Sequence, residues 1–153
     1  MNLQTLIPSE KIVLLDSAQK DKMDLLSELL SACLADTQDA CPRDVVWNAL
    51  KERELSMSTG IGHGVAIPHC STDQVEEILA LLALVKEGIE FDSVDGKPVH
   101  IIVLLIIPRG KGDVHIKTMA AVANLLNNQE FRREVLEASS PTEAYAAIEK
   151  YSR

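Results

Sequence analysis

Apolar residues along this chain recur with two different periods. In DKMDLLSELLSACLA, residues 21 to 35, Met23, Leu26, Leu29, Leu30, Cys33 and Leu34 stand three and four apart behind an acidic start, which predicts an amphipathic helix. PRDVVWNALKEREL, from Pro42, sets Val45, Val46, Ala49 and Leu50 on one face and opens with a proline suited to a first turn. This predicts a second helix whose C-terminal Arg53 points toward a glycine-containing stretch. ILALLALV, from Ile78 to Val85, is short and flanked by turn residues, so it reads as a buried strand. VHIIVLLII, residues 99 to 107, is β-branched and almost continuously apolar, as a central strand covered on both faces would be. Asp95-Gly96 and Pro98 between these runs predict a hairpin around residues 90 to 103.

Downstream, a polar loop RGKGDV leads to a helix expected to begin near Asp113, with Ile116, Met119, Ala120, Ala123 and Leu126 inward. NNQEFRREVLEA predicts a short helix burying Phe131, Val135 and Leu136, and Ser140-Pro141-Thr142-Glu143 is a capping-box pattern opening a last one. Helices before, between and after the strands imply an α/β fold, a mixed central sheet with helices packed on both faces. With 153 residues and 46% apolar content, one domain over 1–153 is expected.

Composition narrows the function classes. The formal charge is -8 and no basic run of four occurs, so nothing offers the positive patch that nucleic-acid binding needs. Cys33, Cys41 and Cys70 form no C-x-x-C pair and no even framework, which suits a reducing compartment. The N-terminus has no basic segment followed by a long apolar one, and no apolar run could span a bilayer. A cytoplasmic protein without direct membrane insertion is expected.

The chemistry concentrates in TGIGHGVAIPHC, residues 59 to 70. Gly60, Gly62 and Gly64 permit positive φ or close approach of a ligand, while Pro68 fixes its own φ and biases Ile67 to an extended conformation, and so presents His69 in a nearly fixed direction. A neutral imidazole is a good nitrogen nucleophile near pH 7. A zinc cage from His63, His69, Cys70 and His115 would need a spacing that matches no zinc pattern. A Cys70 nucleophile with His69 as base is disfavoured because adjacent side chains of an extended segment point to opposite sides. His63 reads as an exposed loop residue and His100 as a strand-start residue without a role.

The stretch RE..MSTGIGHGVAIPH, from Arg53 to His69, resembles the active-site signature of the fructose/mannitol/nitrogen-type enzyme IIA domains of the bacterial phosphoenolpyruvate-dependent phosphotransferase system. FDSVDGKPVHIIVLLIIP resembles that family's core hairpin and strand, and DVHIKTMAAVANLL its second histidine motif. One departure is Met57, where the family commonly has glycine. The resemblance implies the enzyme IIA type 2 fold and a phosphotransferase component needing no cofactor and no metal. It implies that His69 takes a phosphoryl group from the phosphohistidine of HPr, with His115 beside it and Arg53 near the phosphoryl oxygens. Thr59 and the N–H groups around Gly60, Gly62 and Gly64 are expected to donate to those oxygens, since phosphoryl transfer depends on in-line placement and charge stabilisation. The implied partners are an HPr-type phosphocarrier and either a sugar-transport enzyme IIB or a regulatory target protein. With no fused IIB, IIC or HPr-like segment, a nitrogen-type regulator is expected over a sugar-specific IIA.

Overall fold

The computed structural model describes residues 2–16, 21–37 and 41–152. A short helix α1 (Leu3–Leu6) and a 3-10 turn lead into strand β1 (Ile12–Leu15). Two helices follow, α2 (Lys22–Cys33) and α3 (Arg43–Ser56). The glycine stretch forms β2 (Gly60–Gly62) and β3 (Val65–Ala66), and the histidine opens β4 (His69–Thr72). Long strands β5 (Leu79–Ile89) and β6 (Val99–Pro108) precede α4 (Gly112–Leu126), α5 (Gln129–Glu137) and α6 (Pro141–Tyr151).

The strands make a six-stranded mixed sheet in the order β1-β5-β6-β3-β2, with β4 also paired to β6. β5 and β6 are antiparallel, whereas β3 and β4 run parallel to β6 in line with each other. Every residue from Ile101 to Pro108 is buried, as the continuous apolar run required. Alternation along the strand then divides it between two layers. Ile101, Val103, Leu105 and Ile107 join Leu126, Phe131, Val135 and Ile148 on the α4–α6 face. Ile102, Leu104 and Ile106 join Leu26, Leu30, Val46 and Leu50 on the α2–α3 face. Helices on both faces are thus the observed architecture.

Four local expectations are corrected. The hairpin does not turn at Asp95-Gly96: β5 runs on to Ile89, which pairs with Val99, and residues 90–98 form a longer connection. Gly96, with φ 71°, serves only a local turn in which its N–H donates to Ser93 O at 2.9 Å. On α4 the buried positions are Thr118, Val122, Leu125 and Leu126, leaving Ile116 71% exposed and Ala120 on the surface. Val45, expected inside, is likewise exposed. The capping box of α6 closes one residue early, because Ser140 Oγ accepts from Glu143 N while the Glu143 carboxylate accepts from Ser139 N at 2.6 Å.

Candidate functional site

Four segments meet around His69: the end of α3, the start of β4, the residue after β6 and the first turn of α4. His69 is the first residue of β4 and pairs in parallel with Leu105. The ladder continues on both sides of it, from Leu105 N to Pro68 O at 3.0 Å and from Arg109 N to Thr72 O at 2.9 Å, so the backbone carrying the ring is held along its length. The ring is held as well, with Nδ1 2.8 Å from the Ile67 carbonyl oxygen. A carbonyl only accepts, so the proton sits on Nδ1 and the lone pair on Nε2.

The His115 ring stands 5.8 Å from the His69 ring, centroid to centroid, at 74°. Arg53, in the last turn of α3, donates from Nη1 to Met57 O at 2.8 Å, which fixes one end of its guanidinium at the helix C-terminus. Together with Ala49, Glu52, Cys70, Ser71 and Arg109, these residues line a cavity of about 460 Å³. Burial holds the His69 imidazole below its ordinary pKa of 6.5, and the neighbouring Arg53 and His115 act in the same direction. The Ile67 carbonyl and Glu54 oppose the shift without reversing it. His69 is therefore neutral at pH 7, with an in-plane lone pair on Nε2.

Cys70 follows on the strand but turns inward, its sulfur 4.0 Å from the Val46 carbonyl oxygen. Burial pushes its thiol pKa up to about 11, the opposite of an activated nucleophile. Among the described residues no three His, Cys, Asp or Glu side chains gather into a metal-binding group.

Thr59 and the three glycines are placed differently from expectation. Thr59 is buried and committed to Glu54, its N–H donating at 2.8 Å and its hydroxyl at 2.6 Å. Gly62, His63 and Gly64, with φ of 95°, 58° and 76°, make the tight turn between β2 and β3. Gly60 lies so close to the 90–98 connection that a Cβ there would collide with Ser93 Oγ. None of these four residues lines the His69 cavity. His63 is exposed on the turn, and His100 is half-buried with Nδ1 3.1 Å from both Val85 O and Lys86 O.

Two features escaped the sequence reading. Glu54, facing inward beside Arg53, pairs with Lys22 Nζ at 2.7 Å, and that amine also donates to Phe91 O at 3.1 Å. This network fastens the turn after α3 to α2 and to the 90–98 connection. Arg109 also lines the cavity; its only sequence cue is its position directly after the strongest strand. The rest of the polar lining comes from segments that periodicity treats as helix ends and loops.

The model of the family described as "Phosphoenolpyruvate-dependent sugar phosphotransferase system, EIIA 2" matches residues 5–151. A fructose-specific EIIA component from Haloferax volcanii is 32% identical over 139 residues, 91% of this chain and 89% of that protein. A nitrogen regulatory protein from Bradyrhizobium diazoefficiens is 38% identical over 103 residues, 67% of each chain. The crystal structure of nitrogen regulatory protein IIA-Ntr from Neisseria meningitidis superposes with a TM-score of 0.85 at 28% identity, covering 95% of this chain and 98% of that one. Among the described residues no helix is long and apolar enough to cross a membrane.

Proposed function

This chain belongs to the EIIA type 2 family of the phosphoenolpyruvate-dependent sugar phosphotransferase system and is a phosphocarrier, and we propose that its phosphoryl group rides on Nε2 of His69. The Nδ1 contact with Ile67 O supports this reading, because it occupies one nitrogen of a ring that lines the cavity and leaves the lone pair on Nε2. The Nε2 lone pair forms the new N–P bond as the N–P bond of phospho-HPr breaks and its electron pair returns to the donor imidazole. The ring keeps its Nδ1 proton throughout, and the Ile67 carbonyl stabilises the positive charge the ring gains.

Arg53 supplies fixed positive charge for the equatorial oxygens, where charge accumulates during transfer. His115 donates to a phosphoryl oxygen and restrains the ring from the side. The glycine turn acts at a distance: it packs β2 against the 90–98 connection and supports the segment that delivers His69.

Nitrogen-type regulation is the favoured role, supported by the likeness to IIA-Ntr across 95% of this chain. The regulatory message is then the charge of about -1.5 to -2 that a phosphoryl group brings to this surface. The 32% identical fructose-specific relative supports a second reading, in which the group passes to an enzyme IIB for sugar uptake. Incubation with phosphoenolpyruvate, enzyme I and HPr, followed by intact mass, tests the site. One acid-labile phosphoryl group on the wild type and none on His69→Ala is expected; label on His69→Ala would overturn the assignment. Transfer of label onward to a cognate IIB would decide for transport.

A further inference from the structure

Arg109 is not needed for the reaction as described so far, yet it lines the same cavity as Arg53, His69 and His115. Its backbone is anchored, since its N–H extends the β4–β6 ladder by donating to Thr72 O at 2.9 Å. Its side chain is not. The side chain is 61% exposed and its guanidinium is tied by single contacts, Nη1 to Asp73 Oδ2 at 2.9 Å and Nη2 to Ser71 O at 3.4 Å. Asp73 is itself 68% exposed, so the pair is a weak surface contact that a better anion can displace.

A phosphoryl group on His69 is a better anion. It carries nearly twice the charge of a carboxylate and offers oxygens spaced for the two-pronged contact that a guanidinium makes best. Glu52 is the one carboxylate in the cavity lining and does not hold Arg109. Resting on the assignment of His69 as acceptor, we propose that Arg109 is a second phosphoryl-binding residue. Asp73 and the Ser71 carbonyl hold its guanidinium at the cavity wall while His69 is bare, and the guanidinium turns onto the phosphoryl oxygens once His69 carries them.

The equilibrium constant for exchange between phospho-HPr and this chain isolates the effect. Contacts made only while donor and acceptor are docked cancel from an equilibrium between free proteins, so a residue that merely docks the partner alters rates and leaves the constant alone. Arg109→Ala is expected to shift the equilibrium toward the donor by roughly 3- to 10-fold, the range for a charge-assisted contact reduced by solvent exposure. Arg109→Lys, which keeps the charge and loses the fork, should fall between. Asp73→Asn should shift the equilibrium the other way in the wild type and have no effect in the Arg109→Ala background.

An unchanged constant in Arg109→Ala, with circular dichroism and melting temperature as wild type, would overturn the proposal. So would an Asp73→Asn effect that persists without Arg109, because Asp73 would then act through its own charge and not as a tether. If the wild type accepts no phosphoryl group at all, the His69 reading fails and this proposal falls with it. Label that arrives normally with an unchanged constant refutes Arg109 alone.

Discussion

Arg53 and Glu54 are neighbours in the last turn of α3, and they serve two polar centres built on opposite rules. Glu54, its side chain 1% exposed, accepts from Thr59 N, Thr59 Oγ1 and Lys22 Nζ. Its oxygens are saturated from within the protein. Arg53 commits Nη1 to one backbone carbonyl beside an open cavity that also holds His69, His115 and Arg109. A closed set of partners makes a structural joint, whereas charges gathered around an unfilled space make a place for chemistry. Adjacent residues on one helix can belong to either.

This contrast is broken most completely at the two histidines. His69→Gln should remove all labelling by phospho-HPr while leaving the melting temperature within a few degrees, and His115→Ala should still accept label but pass it on more slowly. Next in size is the joint. Lys22→Met strands a buried carboxylate and should cost about 3 kcal/mol, lowering the melting temperature by roughly 6 to 12 °C, with little effect on labelling rate per folded molecule. Arg53→Gln is its counterpart: labelling should slow roughly 10- to 100-fold, with stability changed by about 1 kcal/mol or less. If Lys22→Met instead halted labelling in fully folded protein, the two centres would not be separate.

Smaller effects sharpen the same division. Because burial holds His69 below its ordinary pKa of 6.5, the unfolded chain binds a proton there more readily than the folded one. The unfolding free energy should therefore fall as pH drops from 6.5 toward the folded-state value and stay level above 6.5. Denaturant titrations across this range should show less of that fall in His69→Gln. Last, Cys33 and Cys70, with thiol pKa values pushed up to about 12 and about 11 by burial, should resist iodoacetamide at pH 8 until the protein unfolds.

The fold was readable where one strong regularity governed a segment. The run from Val99 to Ile107 could only be a covered strand, and α2 declared itself by its leucines. α4 was legible as a helix but not in its facing. Its alanines support more than one stripe, and the true one passes through Thr118, a polar residue that periodicity discounts and whose buried hydroxyl has no hydrogen-bond partner among the described residues. β2, β3 and β4 are two to four residues long and exist only because β6 offers a ladder to β3 and β4, and β3 in turn to β2, so nothing local announces them. Of the residues that line the candidate site, His69 was marked by Pro68 and Arg53 by the family motif. The glycines drew attention for the right physical reason, positive φ and close approach, but the close approach is that of Gly60 to Ser93. Glu54 and Lys22 are 32 residues apart, and only the packing of α2 against α3 reveals them as a pair.

The hydrogen bond from His69 Nδ1 to the Ile67 carbonyl has a consequence for traffic. It closes one edge of the ring, so with the phosphoryl group on Nε2, as proposed, a single atom both receives and surrenders the cargo. A donor and a recipient must come to that atom along the same line, and two proteins cannot stand there together. On that assignment visits to the carrier are strictly alternate, and any protein that lingers at His69 silences the rest of the relay for as long as it stays.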